Sequence, residues 1–287
     1  MFSKRLEQNR PSSLLSMLVC PCCHSHLTAI GKGAKCPVCL AVYPLSQYGT
    51  LDMRLKKPIK THTVHVIGQP TLPITLTYSK LTLRDLIPFA ETKDAPMLDL
   101  GCGNTRHKAL CTSKNYRYIG LDYDSAEADV LGDAHALPFE DKTFDLIFSR
   151  SVIEHLRHPL VAMREAYRVL KPHGVLVGSA AFLEPFHGDS YTHNTHLGLI
   201  SLFQDAGFTV DILAPNTAED WHVLKAQAAM SLFPGMPTML SQALVTPLNM
   251  AHKTWWKIAS ALRPDKLNEQ KRLLWTAGSF LFKLHRA

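Results

Sequence analysis

The sequence has no long uninterrupted hydrophobic run. Its longest stretch without Asp, Glu, Lys or Arg, Ala226 to His252, is broken by Pro234, Gly235, Pro237 and Pro247 and carries Gln227, Ser231, Gln242 and Asn249. A membrane-spanning helix needs about 20 mostly apolar residues without such breaks, so none is expected. The apolar stretch Leu14 to Val19 is too short for a signal core and runs into Cys20 rather than a small-residue cleavage site. Internal repeats and low-complexity tracts are absent, which excludes solenoid and disordered architectures. The seven cysteines are odd in number, and five of them lie between positions 20 and 39. That distribution argues against a disulfide framework and for a reducing compartment. The expectation is a cytoplasmic protein, peripheral at most to the inner membrane face.

What is present describes a globular protein: 287 residues, 46% hydrophobic and 19% charged, enough for one full core and a small extra module. The net charge of +7 suggests an anionic partner until it is divided along the chain. Residues 1–60 hold nine Lys/Arg against two Asp/Glu, residues 61–249 hold 14 against 20, and residues 250–287 hold eight against two. The basicity belongs to the ends, and the middle is acidic.

Cys20-Pro-Cys-Cys23 and Cys36-Pro-Val-Cys39 are two C-x-x-C pairs separated by twelve residues. Each such turn aims two thiolates at one point, and two turns supply the tetrahedral sulfur set that zinc prefers. Cys20, Cys23, Cys36 and Cys39 are therefore the expected ligands of a structural Zn2+; Cys22 would serve only with a poorer turn. So small a module depends on its metal for much of its folding free energy. Four thiolates leave no open coordination position, so this zinc is expected to be non-catalytic.

From Pro96 onward, strand-like and helix-like segments alternate, as in a parallel sheet covered by helices. Strands are predicted at 97–100, 117–122, 144–149, 174–180, 208–214 and 278–285, with helices at 151–156, 159–170 and 196–206. Residues 216–275 read as irregularly helical. After the first strand comes Asp99-Leu-Gly101-Cys102-Gly103-Asn-Thr, whose glycines permit a sharp turn and close approach of a ligand. The third glycine of a dinucleotide fingerprint is missing, because position 106 is Arg. Acids instead recur where successive elements end: Asp99, Asp122 and Asp133. That ring suits a ligand with ribose hydroxyls, an exocyclic amine and positive charge, bound at the carboxyl edge of the sheet.

These stretches, LDLGCGNT, YIGLDYD, GDAHALPFEDKTFDLIFSRSVIEHL and the RVLKPHG turn, resemble the class I S-adenosylmethionine-dependent methyltransferases of small-molecule type. The resemblance covers residues 96–180. It implies an α/β Rossmann-like sheet, mostly parallel, of seven strands with the last antiparallel, here preceded by an N-terminal zinc ribbon. The implied domains are a ribbon with a basic arm (1–56), a linker and leading helix (57–95) and the methyltransferase domain (96–287), with a helical insertion at 215–276. It further implies that S-adenosyl-L-methionine is the cofactor. Asp99, Gly101, Cys102 and Gly103 would hold its methionine moiety, and Asp122 with Tyr123 its ribose. Asp133 and Ala134 would meet the adenine, with Ser149 and Arg150 closing over the site. Gly132 follows Asp122 by only ten positions, so the helix usual between them must be vestigial.

Methyl transfer to a hydroxyl is helped by a general base, and His155 and His187 are the two candidates. The tetrapeptide Asn/Asp-Pro-Pro-Tyr, which grips planar amino groups in other methyltransferases, is replaced by Ser149-Arg-Ser-Val. The acceptor is therefore expected to be a small molecule or a glycan, including a lipid-linked one, with RNA the alternative that the basic ends leave open. A non-catalytic scaffold would require all three acids to face solvent by accident. The apolar, aromatic and basic segment 226–263 fits either a lid packed on the domain or peripheral contact with a membrane.

Overall fold

The structure, a computed structural model, describes residues 14–55, 81–185, 190–216 and 223–287. The basic arm before residue 14, most of the 57–95 linker, and His187 lie outside the described residues.

β1 (Thr28–Ile30), β2 (Gly33–Lys35) and β3 (Val42–Pro44) form a small antiparallel sheet beside the cysteine pairs. β4 (Leu51–Asp52) follows and joins the main sheet instead. That sheet contains β5 (Ala95–Leu100), β6 (Tyr116–Asp122), β7 (Val130–Leu131), β8 (Phe144–Arg150), β9 (Leu170–Ala181), β10 (Thr209–Pro215) and β11 (Ser279–His285). Their order is β10-β11-β9-β8-β5-β6-β7-β4. β4 through β9 pair in parallel, and β11 runs antiparallel between β9 and β10. This is the expected Rossmann-like order with one correction: the sheet has eight strands, and the eighth comes from the cysteine-bearing segment.

The central strands β5 and β8 are buried along nearly their whole length on both faces, as inner strands of a parallel sheet are. α1 (Leu83–Leu86) begins with a Thr82–Asp85 capping box and ends at Ile87, since Pro88 disfavours helical backbone in the residue before it. α2 (Lys108–Thr112) follows the glycine turn. α3 (Pro159–Val169) carries Pro at its first position, and α4 (His196–Asp205) is capped by Thr195. The helix expected at 151–156 is only one 3-10 turn, Ile153–His155, because Ser151 enters it left-handed with φ 53°. The strand expected from 174 begins at Leu170, so the KPHG segment is strand rather than turn.

No helix separates β6 from β7. Asp129 pins the short connection, its carboxylate accepting from Gly120 N and its own N–H donating to Gly120 O. The insertion before β11 resolves, within its described residues, into α5 (Val223–Met230), α6 (Thr238–Leu262) and α7 (Glu269–Trp275).

The cysteine module is not a separate bead. Leu18, Cys20, Cys36, Tyr43 and Met53 belong to the same apolar cluster as Leu137 and Phe139 of the main domain. Met53 N donates to Leu131 O, and Val19 N to Pro138 O. Apolar surface is thus buried across the junction between the two parts.

Candidate functional site

The carboxyl ends of β5, β6, β7 and β8 bring the three sequence-identified acids to one edge. Gly101 (φ 74°) and Gly103 (φ 49°) both require left-handed backbone, but their surroundings differ. A Cβ on Gly101 would stand 2.4 Å from a Val152 methyl, whereas around Gly103 nothing lies within 4 Å. The first glycine serves packing and the second borders open space. Asp122 Oδ2 accepts from Gly103 N at 2.9 Å, tying the end of β6 to the turn after β5. Cys102, expected at the ligand, is buried, and its Sγ packs where a side chain on Gly120 would stand.

Asp99 is buried and accepts a hydrogen bond from the Tyr118 hydroxyl at 2.5 Å. Burial pushes its carboxyl up to about 6, against that hydrogen bond and with the Asp122 charge adding to the rise. Asp133 sits differently. Burial would raise it, but the ring and backbone N–H of His135, 2.6 and 2.9 Å from Oδ1, overcome that and hold it below the ordinary value. The other ring nitrogen of His135 accepts from His158 N at 3.1 Å, so the proton sits on the nitrogen facing Asp133. Ala134 beside it is buried.

Ser149 is fully buried at the end of β8, and its Oγ has no partner among the described residues. Arg150 lies with Nη1 3.2 Å from His107 Nε2. The His107 ring packs at a tilt against Phe148, and burial, followed by Arg150 and Arg106, pushes it down to about 4, so it stays neutral. Tyr123 is exposed, and its ring lies beneath Arg54. Arg54 also donates to Tyr123 O at 3.2 Å, while pairing with Asp52 at 2.9 Å and Asp124 at 3.6 Å.

His155, half-buried, ends the 3-10 turn after β8. The loop after β9 folds onto this turn: Tyr191 N and Thr192 N donate to Glu154 O, and Asn194 N to Ala181 O. Arg54 and His107 lie at this edge outside every motif, and Tyr118 and His135 lie inside motif stretches without having been singled out. Their partners lie across the sheet or across domains, although His135 stands two positions from Asp133 and could have been found from it.

The four cysteine sulfurs lie within 4.8 Å of one another, with Cys20 to Cys39 at 3.4 Å and Cys23 to Cys36 at 3.5 Å. Tetrahedral zinc with bonds of about 2.3 Å places its sulfurs just under 4 Å apart, so the donor set fits that ion. The Tyr43 hydroxyl lies 3.0 Å from Cys20 Sγ, in the position of an outer-shell partner. Cys22 stands outside the group.

The strand order is that of a Rossmann-like α/β fold, with a mostly parallel sheet and an acid-ringed carboxyl edge. Residues 98–178 match the family described as methyltransferase domain. An uncharacterized methyltransferase of Mycobacterium leprae is 33% identical over 116 residues, 36% of this chain and 43% of that protein. A probable S-adenosylmethionine-dependent methyltransferase of Mycolicibacterium smegmatis is 31% identical over 138 residues, 40% of this chain and 52% of its own length. The chain thus spans about half the length of these curated relatives. Among solved structures, a methyltransferase from Mesorhizobium loti overlaps 71% of this chain and 95% of its own at 15% identity, with a TM-score of 0.42. No helix among the described residues is long and apolar enough to cross a membrane.

Proposed function

We propose that the protein is an S-adenosylmethionine-dependent methyltransferase acting on a hydroxyl or similar nucleophile of a small molecule or lipid-linked glycan. Cys20, Cys23, Cys36 and Cys39 hold a structural zinc ion. The observation that carries the reading is the open space at Gly103 beside Asp99 and Asp122 on one sheet edge. The buried, unpartnered Ser149 Oγ at the same edge supports it, because a buried hydroxyl is costly without a partner.

When bound, the cofactor supplies a sulfonium-activated methyl group that reacts by in-line displacement. Asp122 receives the ribose hydroxyls, and Asp133, oriented by His135, the adenine amine. Asp99, once ionised, faces the cationic methionine end. His155 takes the proton of the acceptor hydroxyl as the new bond forms, and the loop 190–195 docked on the same turn shapes the acceptor's approach. Positioning supplies much of the rate in such a transfer. The replacement of the amine-gripping tetrapeptide by Ser149-Arg150-Ser151-Val152 supports an oxygen rather than a planar nitrogen as acceptor.

Titration calorimetry of the zinc-loaded protein with S-adenosylmethionine tests the cofactor assignment. Binding is expected, weakened about 10- to 100-fold in Asp122→Ala through loss of charge-assisted hydrogen bonds; absence of binding overturns the reading. Incubation with methyl-labelled cofactor and separated small-molecule, glycolipid and RNA pools tests the acceptor. Label confined to RNA overturns the proposed class.

A further inference from the structure

α6 is amphipathic with its apolar side turned outward. At about 100° per residue, Leu240, Leu244, Leu248, Trp255, Ile258 and Leu262 fall within roughly 80° of arc. All six are between 48% and 75% exposed. The side turned toward the protein carries Ser241, Val245 and Asn249, each at most 5% exposed. A helix that lies only on its own domain buries its apolar stripe, and this one buries the flank about 100° round from it. No described residue covers the stripe, which exceeds the scattered apolar exposure normal for a surface.

The flanks indicate what covers it. α6 contains Lys253 and Lys257 and no acid, and the chain continues through the exposed Arg263, Asp265 and Lys266. Two exposed indoles, Trp255 on the stripe and Trp275 on α7, have the apolar body and polar edge that favour the headgroup depth of a bilayer. Lys253 and Lys257 lie on the side of α6 away from the stripe, so a second copy docked there would gain no charge complementarity from them. We propose that α6 is an interfacial helix that docks the protein on an anionic phospholipid surface, its leucine–tryptophan stripe entering the acyl boundary and the basic residues on its polar side and in the turn after it drawing it to the charged surface. The helix lies in the interface and does not span it, consistent with Asn249, Lys253 and Lys257 along its length. This surface does not depend on methyl transfer being the activity.

Co-sedimentation of the full zinc-loaded chain with vesicles tests it. Vesicles of three parts phosphatidylcholine to one part phosphatidylglycerol should bind at least about tenfold more tightly than pure phosphatidylcholine, with the excess falling as salt rises. Leu244→Glu/Leu248→Glu should lower vesicle binding about tenfold or more while melting temperature and S-adenosylmethionine binding stay unchanged. Both positions are exposed, so folding should survive. Brominated lipid should quench tryptophan emission in the parent and less in Trp255→Phe. No preference for anionic vesicles, or a double variant that binds like the parent, overturns the proposal. So does light scattering that shows a dimer dissociated by the same two substitutions, since the stripe would then belong to a second copy.

Discussion

Gly101 and Gly103 sit two residues apart in one turn and answer to different demands. An alanine at 101 meets Val152 as well as the left-handed backbone, and should cost about 2–4 kcal/mol of stability. Val152→Ala in the same chain should return the packing part of that loss, read by thermal melting. Gly103→Ala meets open space, so its stability cost should be about 1 kcal/mol, while cofactor affinity falls sharply because the methyl group stands where the ligand approaches. Asp99 gives a pH signature. Its folded-state value, about 6, lies above the ordinary 3.8. The native ligand-free form therefore holds the proton more tightly, and this group's contribution to stability falls as pH rises from about 4 to about 6. Asp99→Asn should melt higher than the parent at pH 7.5, by about 1–3 kcal/mol, with the gap closing toward pH 4. A cationic ligand favours the ionised carboxyl, so parent affinity for S-adenosylmethionine should drop as pH falls through 6. The variant should be weak at both ends of that range. Asp99 and Asp122 were legible because each stands at the end of a recognisable strand, and Asp133 because it sits in the Gly132-Asp-Ala-His stretch. Tyr118 and Arg54 were not, because their roles appear only when distant segments meet.

At the scale of elements, the strands with a full apolar pattern were readable within a few residues, and β4 and β7 were not. A two-residue strand has no period, and its existence depends on the neighbour it pairs with. The 3-10 turn after β8 was overestimated as a helix because the sequence does not show that Ser151 enters it left-handed. The β4 pairing also has an energetic consequence for the cysteine module. Cys36→Ser should lower bound zinc from one equivalent to near zero by elemental analysis. Because β4, Leu18 and Met53 are shared with the main core, melting should fall by about 10 °C or more as a single transition. A small early transition that leaves the main one in place would show that the two parts fold independently.

For the whole molecule, the contact of Arg54 with the Tyr123–Asp124 loop joins the segment that follows the cysteine module to the proposed cofactor edge. Chelation of zinc should weaken S-adenosylmethionine binding about five- to tenfold, and bound cofactor should by linkage slow the loss of zinc. Arg54→Ala should keep its zinc and still show a similar weakening by calorimetry; affinity equal to the parent's would show that the contact carries no coupling. The charge division seen in the sequence acquires a physical layout in the same way. Asp99, Asp122 and Asp133 of the acidic middle meet at the carboxyl edge of the sheet, and Lys253, Lys257, Arg263 and Lys266 of the basic C-terminal portion lie on or just after α6.

β4 is only two residues long, yet it stands where the parallel sheet would otherwise end at β7. An uncapped strand offers its unpaired amides to any other chain. A polypeptide synthesised before metal arrives would carry that open margin and the uncovered Leu137–Phe139 surface together. Cells short of zinc should therefore accumulate this protein in inclusion bodies rather than as a soluble but inactive form. Metal supply would set how much of the chain escapes precipitation, before it bears on any step of catalysis.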